Sequence, residues 1–333
     1  TFWLHKNMPE TAAPESDAGV SVSEDGLVLE NGFVKVLFDG DSGCIADIYD
    51  KKHGVHAVKG PCAAALVIDE EHSDTWGHGL DEYRDVVGKF AKTSACVLEN
   101  GPVRCAVRVE YSWNESALVQ DFRLYHDRPE IEVKFRVHWR EKHKLLKLEF
   151  PINVPGAVSA SEIPYGFIER PMDGKERPIQ RWTDVGNGRY GVSVLNDSSH
   201  AVDVCDSTIR LTVLRSPIFA DHFGVRDDRC EFMEQGEHDI GYIIYPHAGS
   251  WREAGTLNKA MALNMPPSVV VETYHRGPLP QSLSGIGVSP ANVVATAFKL
   301  AEDGTGYVLR CHESAGQAVR ARLELPLLGR KWS

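Results

Sequence analysis

A strict alternation of apolar and polar side chains is the feature that most limits what this 333-residue chain can fold into. From Ile131 to Trp139 every odd position is apolar and every even position is polar, and the odd positions from Val103 to Tyr111 are apolar as well. Because successive side chains of a strand point to opposite faces, each stretch predicts a long antiparallel strand with one buried face. Comparable stretches predict further strands at 33–38, 62–69, 118–125, 144–150, 190–196, 208–215, 238–245, 268–274, 293–299 and 306–313.

Helical patterns are scarce in the sequence. Glu253 follows Ser250 by three residues, which is the spacing of a capping box, and two prolines end the pattern, so one short helix is predicted over 251–263. A further helical turn is predicted within 81–89. With so many strands and so little helix, the chain is predicted to be all-β, with its strands folded into two stacked antiparallel sheets.

The two adjacent prolines at 266 and 267 are the best internal boundary in the chain. We expect a large sandwich over 17–265, a smaller β unit over 266–333, and one strand followed by a linker in residues 1–16. Because the sequence starts at Thr1 rather than at a methionine, we expect it to begin inside a longer protein.

Composition excludes several classes of partner. The net charge is −11, and the lysines and arginines are scattered, so a nucleic-acid partner is not expected. Apolar runs stay well short of the roughly 20 residues that span a bilayer, so no membrane segment is expected either. The seven cysteines are odd in number and contain no Cys-x-x-Cys pair, which argues against a disulfide framework or a thiolate zinc site and favours a reducing, cytoplasmic location.

One pair of cysteines flanks a predicted hairpin turn. Asn100-Gly101 is a two-residue hairpin signal, and a turn there places Cys96 and Cys105 opposite each other on neighbouring strands. Two buried thiols on one sheet face are the favoured interpretation, and a strained disulfide is the alternative.

Histidines provide the other candidate sites. His72, Asp74, His78 and Asp81 fall within ten residues, and such a group could bind zinc on a loop. Nothing in their spacing fixes a ligand geometry, so a polar loop at the rim of a cleft is the favoured interpretation. His247 is expected to make a structural hydrogen bond to a loop carbonyl or to a neighbouring domain.

A series of short phrases extends over nearly the whole chain. The phrases are Leu29–Asp39, 42–43, 47–51, Ser73–Trp76, 163–171, 180–182, 190–197, 211–217, 245–251, 294–299 and 301–303. Together and in this order they resemble the C-terminal domain of the family 38 α-mannosidases, in its bacterial or cytosolic form. The specificity lies in the ordered set rather than in any single phrase. The resemblance implies a galactose-mutarotase-like supersandwich followed by a smaller β-sandwich.

The resemblance also implies a chemistry. Members of the family are retaining exo-α-mannosidases, in which two carboxyl groups about 5 Å apart act as nucleophile and as acid and base. A zinc ion binds the hydroxyls of the mannose. In the family the nucleophile and the zinc ligands lie upstream of the region represented here, so no catalytic or metal residue is assigned to this chain, and alone it is expected to be inactive. Its expected partners are the preceding catalytic domain and a mannoside, and self-association is a further expectation.

What remains for this chain is one side of the sugar pocket. In the family the C-terminal domain contributes an aromatic residue and an arginine, which Trp76 and Arg215 match here. An aromatic ring packs on the C–H face of a sugar, and a guanidinium forks hydrogen bonds to hydroxyls or to a carboxylate. An edge-packed aromatic and a domain-interface ion pair are the alternative interpretations. Asp74, Arg170 and Tyr165 are further pocket candidates.

Two other functions compete with this reading. A free-standing aldose epimerase of the mutarotase-like fold would need a glutamate base and a histidine acid facing one sugar ring, and no such pair is singled out by the sequence. A non-catalytic carbohydrate-binding module is the third hypothesis. Fold resemblance alone does not decide among them.

Overall fold

The structure is a computed structural model, and it describes residues 19–70, 75–219, 227, 229–271, 277 and 284–326. In this part of the chain there are 24 strands and one α-helix, α1, at Thr256–Asn264. The strands are β1 Ser21–Val22, β2 Val28–Glu30, β3 Val34–Phe38, β4 Ile45–Asp50, β5 Val55–His56, β6 Ala64–Asp69, β7 Val86–Lys89, β8 Ala91–Asn100, β9 Arg104–Trp113, β10 Ser116–Tyr125, β11 Ile131–Trp139, β12 Lys144–Pro151, β13 Val158–Ile163, β14 Gly166–Arg170, β15 Arg177–Pro178, β16 Trp182–Gly186, β17 Tyr190–Asn196, β18 Ala201–Cys205, β19 Thr208–Arg215, β20 Gly236–Ala248, β21 Gly287–Ser289, β22 Val293–Leu300, β23 Tyr307–Glu313 and β24 Arg322–Glu324. The expected all-β class is therefore confirmed.

The backbone forms two units. The larger unit consists of Ser16–Glu162 and Ile168–Pro266, and the smaller consists of Thr1–Glu15, Ile163–Phe167 and Pro267–Ser333. The domain limits drawn from the sequence stay a prediction. The strand expected within residues 1–16 lies outside the described residues.

Three antiparallel sheets make up the larger unit. A nine-stranded sheet has the order β14-β13-β16-β17-β20-β11-β10-β9-β8, and a six-stranded sheet has the order β15-β18-β19-β12-β6-β7. A five-stranded sheet runs from β1 to β5 in chain order. One apolar core draws side chains from all three sheets, including Val36, Phe122, Phe135, Phe150 and Leu211. In the smaller unit, β21 pairs with β24 and β22 pairs with β23.

Alternating burial in the long strands follows the pattern of the sequence. β11 buries every odd residue from Ile131 to Trp139, and Lys134 and Arg136 on its other face are exposed. On β9 the odd positions from Cys105 to Tyr111 are buried too. The apolar faces point into the core because apolar area removed from water contributes about 25 cal/mol per Å².

The helix begins later than predicted. The capping box is present, since the backbone N–H of Ser250 donates to Glu253 Oε2 at 2.9 Å and that of Glu253 donates to Ser250 Oγ at 3.4 Å, but it closes an isolated turn. Gly255, at φ +70°, is in the left-handed region and interrupts a continuous helical path, so α1 starts at Thr256 instead of 251. No helix among the described residues is long and apolar enough to cross a membrane.

Two other local predictions were wrong. Residues 81–89 do not contain a helical turn, because 86–89 pair with β6 as the edge strand β7. Residues 268–271 are not a strand, although the three valines at 269–271 favour extended structure; the rest of that predicted strand, 272–274, lies outside the described residues.

Cys96 and Cys105 are not opposite each other. The β8–β9 connection spans residues 101–103 rather than two residues, so Asn100 faces Cys105 and Cys96 faces Arg108. Bulges on β8 shift the register further. Both thiols are free, and Cys96 is exposed while Cys105 is buried. The disulfide and the shared buried face are both excluded by this register.

Candidate functional site

Arg215, the last residue of β19, lies in a tight set of contacts at one end of the six-stranded sheet. Its Nε donates to Glu70 Oε1 at 2.5 Å, and its Nη2 contacts the same carboxylate oxygen. The Glu70 side chain is fully buried, whereas that of Arg215 is 28% exposed. The guanidinium carbon lies 5.4 Å from the centre of the Tyr83 ring. A charge-assisted pair of this kind holds the planar guanidinium in one orientation.

The loop that carries Trp76 lies beside this arginine. Thr75 Oγ1 donates to the carbonyl of Ile218 at 2.8 Å, which ties the loop to the chain just beyond β19. A Cβ on Gly77 would lie 3.0 Å from the Tyr83 hydroxyl and 3.5 Å from Arg215 Nη2. Trp76, which follows the anchored Thr75, is 70% exposed. The structure therefore brings the loop of one predicted pocket residue next to the other.

The far end of the same loop is tied to residues 173–176. Lys175 Nζ donates to Asp81 Oδ2 at 2.6 Å, and the backbone N–H of Glu176 donates to the carbonyl of Asp81 at 2.7 Å. Arg84 Nε donates to the carbonyl of Gly174 at 3.4 Å. The loop is thus held at both ends.

Glu176 in turn belongs to a buried charge cluster on the outer face of the six-stranded sheet. The ammonium of Lys147 is fully buried and bonds to the carboxylates of Glu176 and Asp203. Thr212 Oγ1 donates to Glu176, and Arg210 lies 4.0 Å from Asp203. Burial raises the pKa of the Asp203 carboxyl, against the opposing effect of Lys147. The cluster therefore encloses the ammonium of Lys147, and through Glu176 it is bonded to the loop that contains Asp81.

Sequence reasoning missed Glu70, Lys147 and Asp203. On β12, Lys147 and Glu149 alternate with apolar residues, and this pattern predicts an ordinary solvent-exposed face. Lys147 is buried because Asp203, Glu176 and the ring of Tyr83 enclose its ammonium, and the sequence pattern contains no signal for these partners.

The other pocket candidates lie elsewhere. Arg170 Nη1 donates to the carbonyl of Pro178 at 2.7 Å, and burial together with Arg177 lowers the pKa of its guanidinium. Tyr165 belongs to the smaller unit, where its ring packs edge-on against His312 at 5.5 Å. Asp74 lies outside the described residues. The pocket roles of these residues stay predictions.

The possible zinc-binding group of His72, Asp74, His78 and Asp81 also lies partly outside the described residues. His72 and Asp74 lie outside the described residues, and Asp81 bonds to Lys175. Within the ranges that the structure describes, no three histidine, cysteine, aspartate or glutamate side chains are grouped so as to hold a metal ion. The described residues therefore do not fit a zinc site.

His247 lies in a buried polar cluster beneath α1. Its Nε2 is 2.8 Å from Asp184 Oδ2 and 3.2 Å from Ser193 Oγ, and Ser193 Oγ is 3.0 Å from Thr256 Oγ1. A catalytic triad needs the carboxylate and the nucleophile on different ring nitrogens, and here both contact the same one. His247 therefore links β20 to β16 and β17, and Ser193 extends the network to α1. Its partner is a carboxylate instead of the loop carbonyl or neighbouring domain that was expected.

The space beside Arg215 is small. A hollow of about 270 Å³ is lined by Arg215, Thr212, residues 198–201, residues 213–214, Pro217, Met233 and Glu234. Pockets that enclose a ligand usually measure roughly 300–1,000 Å³. A complete sugar pocket at this end of the sheet would need further walls.

Comparison with known proteins agrees with this architecture. Residues 29–223 match the family described as the glycosyl hydrolases family 38 C-terminal domain. Alpha-mannosidase G of Dictyostelium discoideum is 26% identical over 93% of this chain and 29% of its own length. Alpha-mannosidase 2C1 of Homo sapiens is 29% identical over 94% of this chain and 31% of its own length.

A solved structure confirms the fold across nearly all of the chain. The alpha-mannosidase from Enterococcus faecalis V583 superposes with a TM-score of 0.79 at 14% identity, covering 93% of this chain and 39% of that one. The fold is thus the large antiparallel β-sandwich that this glycoside hydrolase contains. This chain belongs to glycoside hydrolase family 38, as its C-terminal domain. It spans about 30% of the length of the curated relatives that it matches.

Proposed function

We propose that this chain is the C-terminal β portion of a larger, retaining, zinc-dependent exo-α-mannosidase and that it encloses one side of the mannose pocket. The proposal rests on the family match and on relatives that are named alpha-mannosidases and are about three times as long. The parent enzyme is proposed to be cytoplasmic.

The observation that carries the pocket role is the pairing of an oriented guanidinium with an exposed indole. Arg215 is fixed by a buried carboxylate, and the anchored loop beside it leaves Trp76 70% exposed. An exposed indole offers a flat apolar surface to the C–H face of a sugar. A fixed guanidinium can bind two hydroxyls, or a hydroxyl and a carboxylate of the preceding domain.

The bond-breaking groups are assigned to the part of the enzyme that precedes this chain. A retaining mechanism needs two carboxyl groups about 5–5.5 Å apart on either side of the glycosidic bond. Zinc, when bound there, would hold the mannose hydroxyls. This chain's residues then bind and orient the sugar and exclude water from one side of it.

The test is a pair of substitutions in the longer protein, assayed with an aryl α-mannoside. Arg215→Lys should lower kcat/KM by about 100-fold, because an ammonium cannot reproduce the two-pronged contact. Trp76→Ala should lower it by about tenfold, equivalent to roughly 1.4 kcal/mol of transition-state binding.

Matched controls separate the pocket from general damage. Arg181→Lys alters another arginine that is paired with a buried glutamate, and Tyr307→Ala alters another exposed aromatic. Both should retain activity within about twofold. If Arg215→Lys and Trp76→Ala behaved like these controls, the pocket role would be wrong.

A further inference from the structure

Glu70 follows β6 directly, and its position is set by more than one contact. Its backbone N–H donates to the carbonyl of His143 at 2.9 Å, and its side chain is fully buried. An ionised carboxylate away from water is costly unless a charged or hydrogen-bonding partner compensates it. The guanidinium of Arg215 is such a partner, through Nε and Nη2 on the same oxygen.

The same arrangement restricts Arg215. An arginine side chain loses rotamer entropy whenever it is held in one position. Here the carboxylate of Glu70 and the ring of Tyr83 hold the guanidinium before any sugar arrives. Orientation before binding reduces the cost of each contact made afterwards.

We infer that Glu70 is the positioning residue that holds Arg215 in the orientation required for the sugar. This inference rests on the proposed pocket role of Arg215 and adds a residue that does not itself touch the substrate. Its effect on the reaction should pass through Arg215.

A second glutamate–arginine pair in the larger unit provides a matched comparison. Glu162 is also buried, and Arg181 donates to it through Nε at 3.0 Å and through its backbone N–H at 2.9 Å. This pair joins β13, which contains Glu162, to the residue just before β16 in the nine-stranded sheet. Loss of the Glu162 charge should lower the stability of the fold as loss of the Glu70 charge does, but it should not affect the proposed pocket.

The experiment is a double-mutant cycle in the longer protein, with kcat/KM for an aryl α-mannoside measured per folded molecule. Glu70→Gln keeps the shape and removes the charge, so kcat/KM should fall about tenfold. Glu162→Gln should stay within about twofold of the parent. In the Arg215→Lys background, Glu70→Gln should cause a further loss of less than about twofold, because residues that act as one unit are not additive.

The outcomes discriminate between the two ideas. A tenfold loss from Glu70→Gln that persists in the Arg215→Lys background would show that Glu70 acts independently of Arg215 and would overturn the positioning role. A loss from Arg215→Lys with none from Glu70→Gln would overturn it too, while leaving the pocket role intact. If Arg215→Lys itself were silent, the proposed function would fail first, and the positioning role with it.

A second variant covers the case in which Glu70→Gln does not fold. Glu70→Asp keeps the charge but shortens the side chain by one methylene group, which draws the carboxylate away from Arg215 Nε. It should lower kcat/KM several-fold in the parent and have no added effect in the Arg215→Lys background. Equal losses in both backgrounds would contradict the inference.

Discussion

On its inner face, β12 places Leu146, Leu148 and Phe150 in the apolar core, whereas on its outer face the same strand places Lys147 and Glu149 among other charges. Both Phe150 and Lys147 are fully buried. The inner face needs only apolar residues of suitable volume. The outer face needs a specific partner for every charge, because an unpaired buried charge is far more costly than a lost apolar contact.

This difference shows that the candidate site is held by contacts on the outer face of the sheet. Lys147 takes one partner, Asp203, from the neighbouring strand β18 and another, Glu176, from the connection before β15. The backbone of Glu176 in turn bonds to Asp81, in the loop that carries Trp76 and Tyr83. Burial of charge therefore fixes the loops that the proposed pocket requires. The inner face contributes stability and sets the positions of the strands beneath.

The largest stability effect is expected on the inner face. Phe150→Ala should lower the free energy of unfolding by about 4 kcal/mol, because it removes a fully buried ring that packs against Tyr242 and leaves a cavity. Urea unfolding of the 333-residue chain measures this. Val158→Ala, at a 55% exposed position, should change it by less than about 0.5 kcal/mol. Equal effects would remove the distinction between core and surface.

The outer face should respond almost as strongly to the loss of one charge. Lys147→Met keeps the length of the side chain but leaves two carboxylates without their ammonium, so unfolding free energy should fall by about 3 kcal/mol. The exposed Lys134→Met is the control, with less than about 0.5 kcal/mol expected.

A double variant sharpens that result. Adding Asp203→Asn to Lys147→Met removes one of the two uncompensated charges, so at least half of the lost stability should return. If the double variant were less stable than Lys147→Met, the cluster would not be governed by charge pairing.

A weaker effect is expected from pH. Burial raises the pKa of Asp203, so between its ordinary value of 3.8 and the raised value the folded chain keeps a proton that the unfolded chain has released. The contribution of this group is therefore complete below pH 3.8 and is lost as the pH rises through the raised pKa. Asp203→Asn should gain stability relative to the parent as the pH rises from about 4 to 7. A parallel change in the exposed control Asp206→Asn would contradict this cause.

The smallest effect is expected in the order in which the cysteines of the folded chain react with a thiol-labelling reagent. Cys96 is exposed and should react first. Cys44 packs with Tyr83 and Leu145 in a small apolar cluster separate from the inner core, whereas Cys62 packs in the inner core. Burial raises the pKa of both thiols. Cys44 should react before Cys62, because local opening of the small cluster is easier than opening of the core. The reverse order would show the small cluster to be the more protected.

The sequence predicted the inner face well and the outer face poorly, for a physical reason. Alternation over 131–139 is a local property of the strand, and the structure reproduces it residue by residue. Partners such as Glu176 for Lys147 are 29 residues apart and depend on loops whose path no short pattern records. The family resemblance, rather than any pattern, brought Trp76 and Arg215 forward as candidates.

Local exceptions arose where backbone geometry overrode a motif. Ser250 and Glu253 form their capping box, yet the left-handed conformation at Gly255 delays the helix. The Asn100-Gly101 signal lies where predicted, but a longer connection sets the register of Cys96 and Cys105. The motifs thus predicted the positions of the turns correctly, but they did not predict the start of the helix or the pairing register of the strands that follow.

The central claim is that this chain forms one wall of a sugar pocket and depends on a preceding domain for the reaction. The most direct test compares hydrolysis of an aryl α-mannoside, per mole, by the purified 333-residue chain and by the longer protein. The account predicts zinc-dependent turnover by the longer protein and a rate at the buffer background for the chain alone. Turnover by the chain alone at a rate similar to that of the longer protein would contradict it.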